Sequence, residues 1–114
     1  VDGARRSTDV AVADGVPVVQ QFFGSSLVPT IKQQLAPDAR IGLIVAMNVL
    51  AHTADVNDLL TGVTQLMQPG TVFVSQSHWL MALIRKFEFD TIYHEHFSYL
   101  SFGSVKRIFE TVGL

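Results

Sequence analysis

The chain has 114 residues, a formal net charge of −2 and a composition that is 48% hydrophobic, the profile of one globular unit and not of a tail or linker. Its eight Lys and Arg are scattered and form no basic stripe of the kind nucleic-acid binding requires, and with no cysteine it has neither a disulfide framework nor a thiolate metal site. No apolar run approaches the roughly 20 residues needed to span a bilayer, and a reducing, cytoplasmic setting is the expectation.

In chain order, Val1 reads as the end of a strand with Asp2 just after it, and residues Ala4 to Asp14 read as a weak helical link to the next strand, Val16–Val19. Gln20-Gln21-Phe22-Phe23-Gly24 follows. Leu27, Ile31 and Leu35 then recur every fourth residue behind the cap candidates Ser25 and Ser26, with Pro29 early enough for a first helical turn. A second apolar run, Ile41–Ala46, leads into Met47-Asn48-Val49-Leu50-Ala51-His52. Asp55 then precedes the stripe Val56, Leu59, Leu60, Val63 and Leu66, which Pro69-Gly70 breaks. The third run, Thr71–Ser75, is followed by Gln76-Ser77-His78-Trp79, where the His-Trp pair opens a helix. A last helical stripe, Val105, Ile108, Phe109 and Val112, starts near Ser104 and closes at Gly113. The runs are apolar on consecutive positions, as expected for a largely parallel sheet covered by helices on both faces.

Ligands of open α/β sheets bind outside the carboxyl ends of the strands. An acidic residue at Asp2 suits the two hydroxyls of a ribose, and Phe22 or Phe23 offers a flat face to adenine, with one ring expected in the pocket and the other in the core. That outlines a nucleoside pocket. No G-x-G-x-x-G or P-loop is present, so the nucleoside carries no phosphates or its loop lies upstream of Val1.

The run Tyr93-His94-Glu95-His96 gathers two of the four histidines around a carboxylate. Such groups are costly to bury unless they satisfy one another, so the run reads either as a site that moves protons or as a polar loop held by its own hydrogen bonds. His94 is expected to face away from the cleft that His96 enters and to be structural. A metal reading of His94 and His96 lacks a third-ligand motif, and no metal is expected.

Asn48-Val-Leu-Ala-His52, the capped helix, the strand behind Pro69-Gly70 and the run Phe89-Asp-Thr-Ile-Tyr-His-Glu-His-Phe-Ser-Tyr-Leu-Ser101 resemble, in order, the S-adenosylmethionine-dependent sugar C-methyltransferases. The Tyr-His-Glu-His run is the specific part of that likeness. The resemblance implies a Rossmann-like class I methyltransferase sheet, three-layer αβα, acting on a nucleotide-linked 4-keto-deoxysugar in deoxysugar biosynthesis. Family members are larger, with a cysteine-rich zinc-binding domain before the methyltransferase domain and a further domain after it. The chain opens on Val1 without Met and stops where a helix would hand over to a strand, so residues 1–114 are expected to be a central piece without the first strand and its Gly-rich loop.

By resemblance, His96 is the general base, since an imidazole of unperturbed pKa about 6.5 suits proton removal near neutrality. Glu95 would orient His96, while Tyr93 and His52 would meet the developing enolate oxygen or sugar hydroxyls. Asp2, Phe22, Phe23, Met47 and Asn48 would line the S-adenosylmethionine site, with Asn48 and His78 also facing the acceptor. For His52 and His78 the plain alternatives are a helix-start cap and simple packing, and for Asp2 it is a cap at Ala4. Two other readings remain at this level: transfer to an oxygen or nitrogen of a small molecule, and a noncatalytic piece whose sheet has a gap between Val16–Val19 and Ile41–Ala46. The sugar, its nucleotide and the oligomeric state are not legible.

Overall fold

The structure, a computed structural model, describes the backbone of residues 1–114 and the side chains of all of these except residues 5–7. In chain order the elements are α1 (Arg5–Ala13), α2 (Val28–Gln34), β1 (Leu43–Met47), α3 (Val56–Leu66), β2 (Val72–Gln76), α4 (Leu80–Lys86) and α5 (Phe102–Thr111). Short 3-10 turns occupy Ser25–Leu27, Leu50–His52 and Phe89–Thr91. Among the described residues no helix is long and apolar enough to cross a membrane.

β1 and β2 pair in parallel, from Leu43 opposite Val72 to Met47 opposite Gln76. Parallel neighbours need a crossover, and α3 provides it. Asp55 caps this helix, its carboxylate accepting the Asp58 N–H at 2.9 Å. A cap contributes about 1 kcal/mol, whereas each buried Leu or Val contributes roughly 1.5–3 kcal/mol. The stripe therefore dominates: Leu59, Leu60 and Val63 form the core with Leu50 and Leu100. Ile44 and Phe73 reach it from the sheet, and Val105, Ile108, Phe109 and Val112 reach it from α5.

Three expectations are corrected. Val16–Val19 forms no strand, because a strand needs a ladder: among the described residues the Val16 N–H donates to the Ala11 carbonyl and the Val19 carbonyl accepts from the Asp2 and Gln21 N–H, and these bonds pair it with no neighbouring strand. Helices cover one face of the sheet, not both: Leu43, Val45, Met47, Val72 and Val74 lie exposed on the other. Their apolarity made the runs consecutive in sequence although nothing in the described residues covers them. The last helix begins at Phe102, with Ser101 as its cap: the Ser101 hydroxyl accepts the Ser104 N–H at 3.1 Å and the Ser104 hydroxyl accepts the Ser101 N–H at 2.9 Å.

Ser25 does not cap α2 but ties the chain to α3. Its N–H donates to both carboxylate oxygens of Asp58 (3.2 and 3.3 Å) and its hydroxyl donates to Oδ1. Gly24 and Gly62 make this approach possible: a Cβ on Gly24 would collide with the Asp58 carboxylate, and one on Gly62 would sit 3.0 Å from the Gly24 carbonyl carbon and 3.1 Å from the Phe23 ring. Phe22-Phe23-Gly24 is thereby pinned against α3. Gly62→Ala should therefore destabilise the protein by up to about 2 kcal/mol: helix propensity favours alanine by roughly 1 kcal/mol, but overpacking against backbone costs about 1–3 kcal/mol. Urea unfolding tests this, and a raised midpoint would contradict it.

Candidate active site

Just beyond β1 the backbone turns through Asn48, whose φ of 55° lies in the left-handed region that asparagine tolerates better than most residues. Its N–H donates to the Gln76 carbonyl at 2.8 Å, so this turn is fastened to the end of β2. Leu50 and Ala51 bury themselves in the next 3-10 turn and bring His52 back alongside Asn48. The Asn48 amide nitrogen lies 3.3 Å from His52 Nε2; it can only donate, so Nε2 accepts. Asn48 Oδ1 is buried without a hydrogen-bond partner.

The second contributor is a tight turn from Tyr93 to His96, closed by the His96 N–H donating to the Tyr93 carbonyl at 3.1 Å. Such a turn brings its first and last residues together and puts the middle two at its corner. The Tyr93 and His96 rings stand 4.3 Å apart, and His94 and Glu95 are exposed. His96 is only 8% exposed. Its Nδ1 lies 2.9 Å from the Thr91 carbonyl, an acceptor, so Nδ1 carries the proton and Nε2 is bare. Nε2 then accepts the Tyr93 hydroxyl at 3.2 Å. The Tyr99 hydroxyl donates to the same Thr91 carbonyl at 3.2 Å, and its ring meets His96 edge-on at 5.7 Å.

A main-chain bond joins the two contributors, the Phe97 N–H donating to the Ala51 carbonyl at 2.8 Å. It sets His52 at 4.5 Å from His96, ring centre to ring centre, and His78, beyond β2, stands at 5.3 Å. Three imidazoles and two phenols thus converge at the carboxyl ends of the two strands.

A family model described as a methyltransferase domain matches residues 4–114. The chain belongs to the methyltransferase-domain family. It is also 34% identical over 115 residues, 100% of its length, to C-methyltransferase NovU of Streptomyces niveus, and it spans 26% of that relative.

In this methyltransferase domain the structure brings together Tyr93, His96, His52 and His78 and holds Asn48 against them. Glu95 is not among them. It is exposed and makes no hydrogen bond or ion pair among the described residues, and the contact that orients His96 comes from the Thr91 carbonyl instead. His94 is exposed at the corner of the turn and makes no ring contact with the cluster among the described residues. Phe23 packs inward against the core while Phe22 is 90% exposed. The Phe22 ring lies over Gly3, where a Cβ would come within 2.8 Å of it, so Asp2 and the exposed ring are neighbours. Asp2 Oδ1 accepts the Ala4 N–H at 2.8 Å at the entry to α1. Met47 ends β1 on the exposed face. Thr91 and Tyr99 were not singled out from the sequence: Thr91 acts through its backbone, which residue type does not reveal, and Tyr99 lay within the same run with no role assigned to it.

His96→Ala should cost about 1–3 kcal/mol, because it strips the partially buried Thr91 carbonyl and Tyr93 hydroxyl of a partner. His94→Ala should stay within about 0.5 kcal/mol, as expected for an exposed side chain without contacts. Denaturant unfolding of the two variants checks the contrast, and equal losses would contradict it.

Proposed function

We propose that this chain forms part of an S-adenosylmethionine-dependent C-methyltransferase that acts on the carbon beside the ketone of a nucleotide-linked 4-keto-deoxysugar, on a Rossmann-like three-layer αβα domain. The observation that carries the reading is His96: a buried imidazole whose Nδ1 proton is held by a backbone carbonyl and whose Nε2 is a bare acceptor at the strand ends. Carbon acids need such a base more than oxygen or nitrogen acceptors do. The similarity to a protein named as a C-methyltransferase supports the same choice.

The residues suit the methyl donor. Asp2 would hold its ribose hydroxyls, the exposed face of Phe22 its adenine, and Met47 and Asn48 its remaining length. When bound, S-adenosylmethionine supplies an electrophilic methyl group. His96 Nε2 takes the carbon-bound proton, and the C–H electron pair passes into an enolate whose oxygen gains the charge. The Thr91 carbonyl holds the Nδ1 proton throughout and so keeps Nε2 as the nitrogen that receives the new one. Tyr93 must first release Nε2. Being partly exposed, its hydroxyl can turn from the base to the enolate oxygen, where a donor stabilises the developing charge. His78 stands at the exposed side of the cluster, toward the acceptor.

In the whole protein, His96→Asn should slow solvent deuterium exchange at the carbon beside the ketone by about 10²- to 10⁴-fold, with S-adenosylmethionine affinity unchanged by calorimetry. Undiminished exchange would sink the base assignment. Phe22→Ala should weaken S-adenosylmethionine binding about 2- to 10-fold, the range for loss of one ring-stacking contact; unchanged affinity would remove Phe22 from the cofactor site.

A further inference from the structure

Two histidines face each other in this site, and their ring nitrogens are fixed in opposite senses. His96 is tied through Nδ1 to a group that can only accept, the Thr91 carbonyl, so its Nε2 is the acceptor. His52 is tied through Nε2 to a group that can only donate, the Asn48 amide nitrogen, so its proton sits on Nδ1. Among the described residues nothing else hydrogen-bonds the His52 ring, and Nδ1–H has no protein partner. It is left for a ligand.

We infer that Asn48 is a positioning residue that pins His52 as an Nδ1–H donor, making His52 and His96 a complementary pair that reads a ketone and its neighbouring carbon. His52 donates a hydrogen bond to the oxygen on which charge develops, keeping its own proton, while His96 accepts the proton from carbon. This rests on the reaction proposed above and adds to it the means by which two identical side chains, 4.5 Å apart, take opposite roles.

Asn48 is suited to this duty by its backbone. The left-handed conformation and the N–H bond to the Gln76 carbonyl fix where its side chain starts, within reach of the ring. His52 is the one side chain its amide hydrogen-bonds among the described residues, Oδ1 being buried without a partner. The alternative tautomer of His52 would set an Nε2–H against the amide N–H. That would also leave two bare acceptors facing the substrate and no imidazole donor for its oxygen.

Asn48→Asp tests the pin, since aspartate also tolerates the left-handed backbone but its carboxylate only accepts. The whole protein with 15N-labelled histidine, free of substrate and at a pH where the ring is neutral, should show His52 as Nδ1–H by two-bond 1H–15N correlation. Asn48→Asp should switch it to Nε2–H. The same variant should lose about 10²- to 10³-fold in kcat, as when one donor to an oxyanion is removed. A wild-type His52 carrying its proton on Nε2, or a tautomer indifferent to Asn48→Asp, would overturn the pinning. A switched tautomer with unchanged kcat would overturn the donor role. The spectra need no turnover, so a failure of the methyltransferase reading would show instead in wild-type exchange and methylation while leaving the tautomers as stated.

Discussion

An imidazole removed from water needs a partner at each nitrogen, and much of the local architecture follows from meeting that demand at His96. The Thr91 carbonyl, five residues before His96, would be out of reach in a straight segment. The 3-10 turn through Phe89–Thr91 and the tight turn at Tyr93 fold the chain back so that Thr91, Tyr93 and Tyr99 all address one ring or one carbonyl. The ring is therefore held by its own segment. Other segments only have to deliver His52 and His78 to its open side.

The division of labour between scaffold and site is clear in the energetics. α3, α5 and the inward face of the two strands supply the apolar burial, while every group at the site belongs to connections beyond the strand ends. Connections are the segments best able to carry polar side chains, because their backbone groups are satisfied by turns and not by ladders. The Asp58 carboxylate extends the scaffold beyond the apolar core. It takes up the N–H and hydroxyl of Ser25 and so fixes the loop on which Phe22 is displayed.

What sequence could reveal divides along similar lines. The α3 stripe and its Asp55 cap were legible because burial periodicity and a short acidic side chain act locally. The α5 stripe was legible too, but its start was misplaced, since Ser101 and Ser104 both look like caps and only their reciprocal bonds show which one begins the helix. Val16–Val19 has the composition of a strand without being one, because pairing depends on a partner that composition does not supply. At the site, residue types pointed to His96, Tyr93 and His52. They could not reveal Thr91, whose contribution is a main-chain oxygen, or separate Glu95 from His96, because a turn in place of an extended run reverses which neighbours share a side.

The spacing of His52 and His96 is set by the Phe97 N–H to Ala51 carbonyl bond, a contact that involves no side chain. Any residue other than proline at position 97 can make it. The distance between the two imidazoles is thus insulated from drift in the surrounding side chains, which are free to vary while the two rings keep their separation.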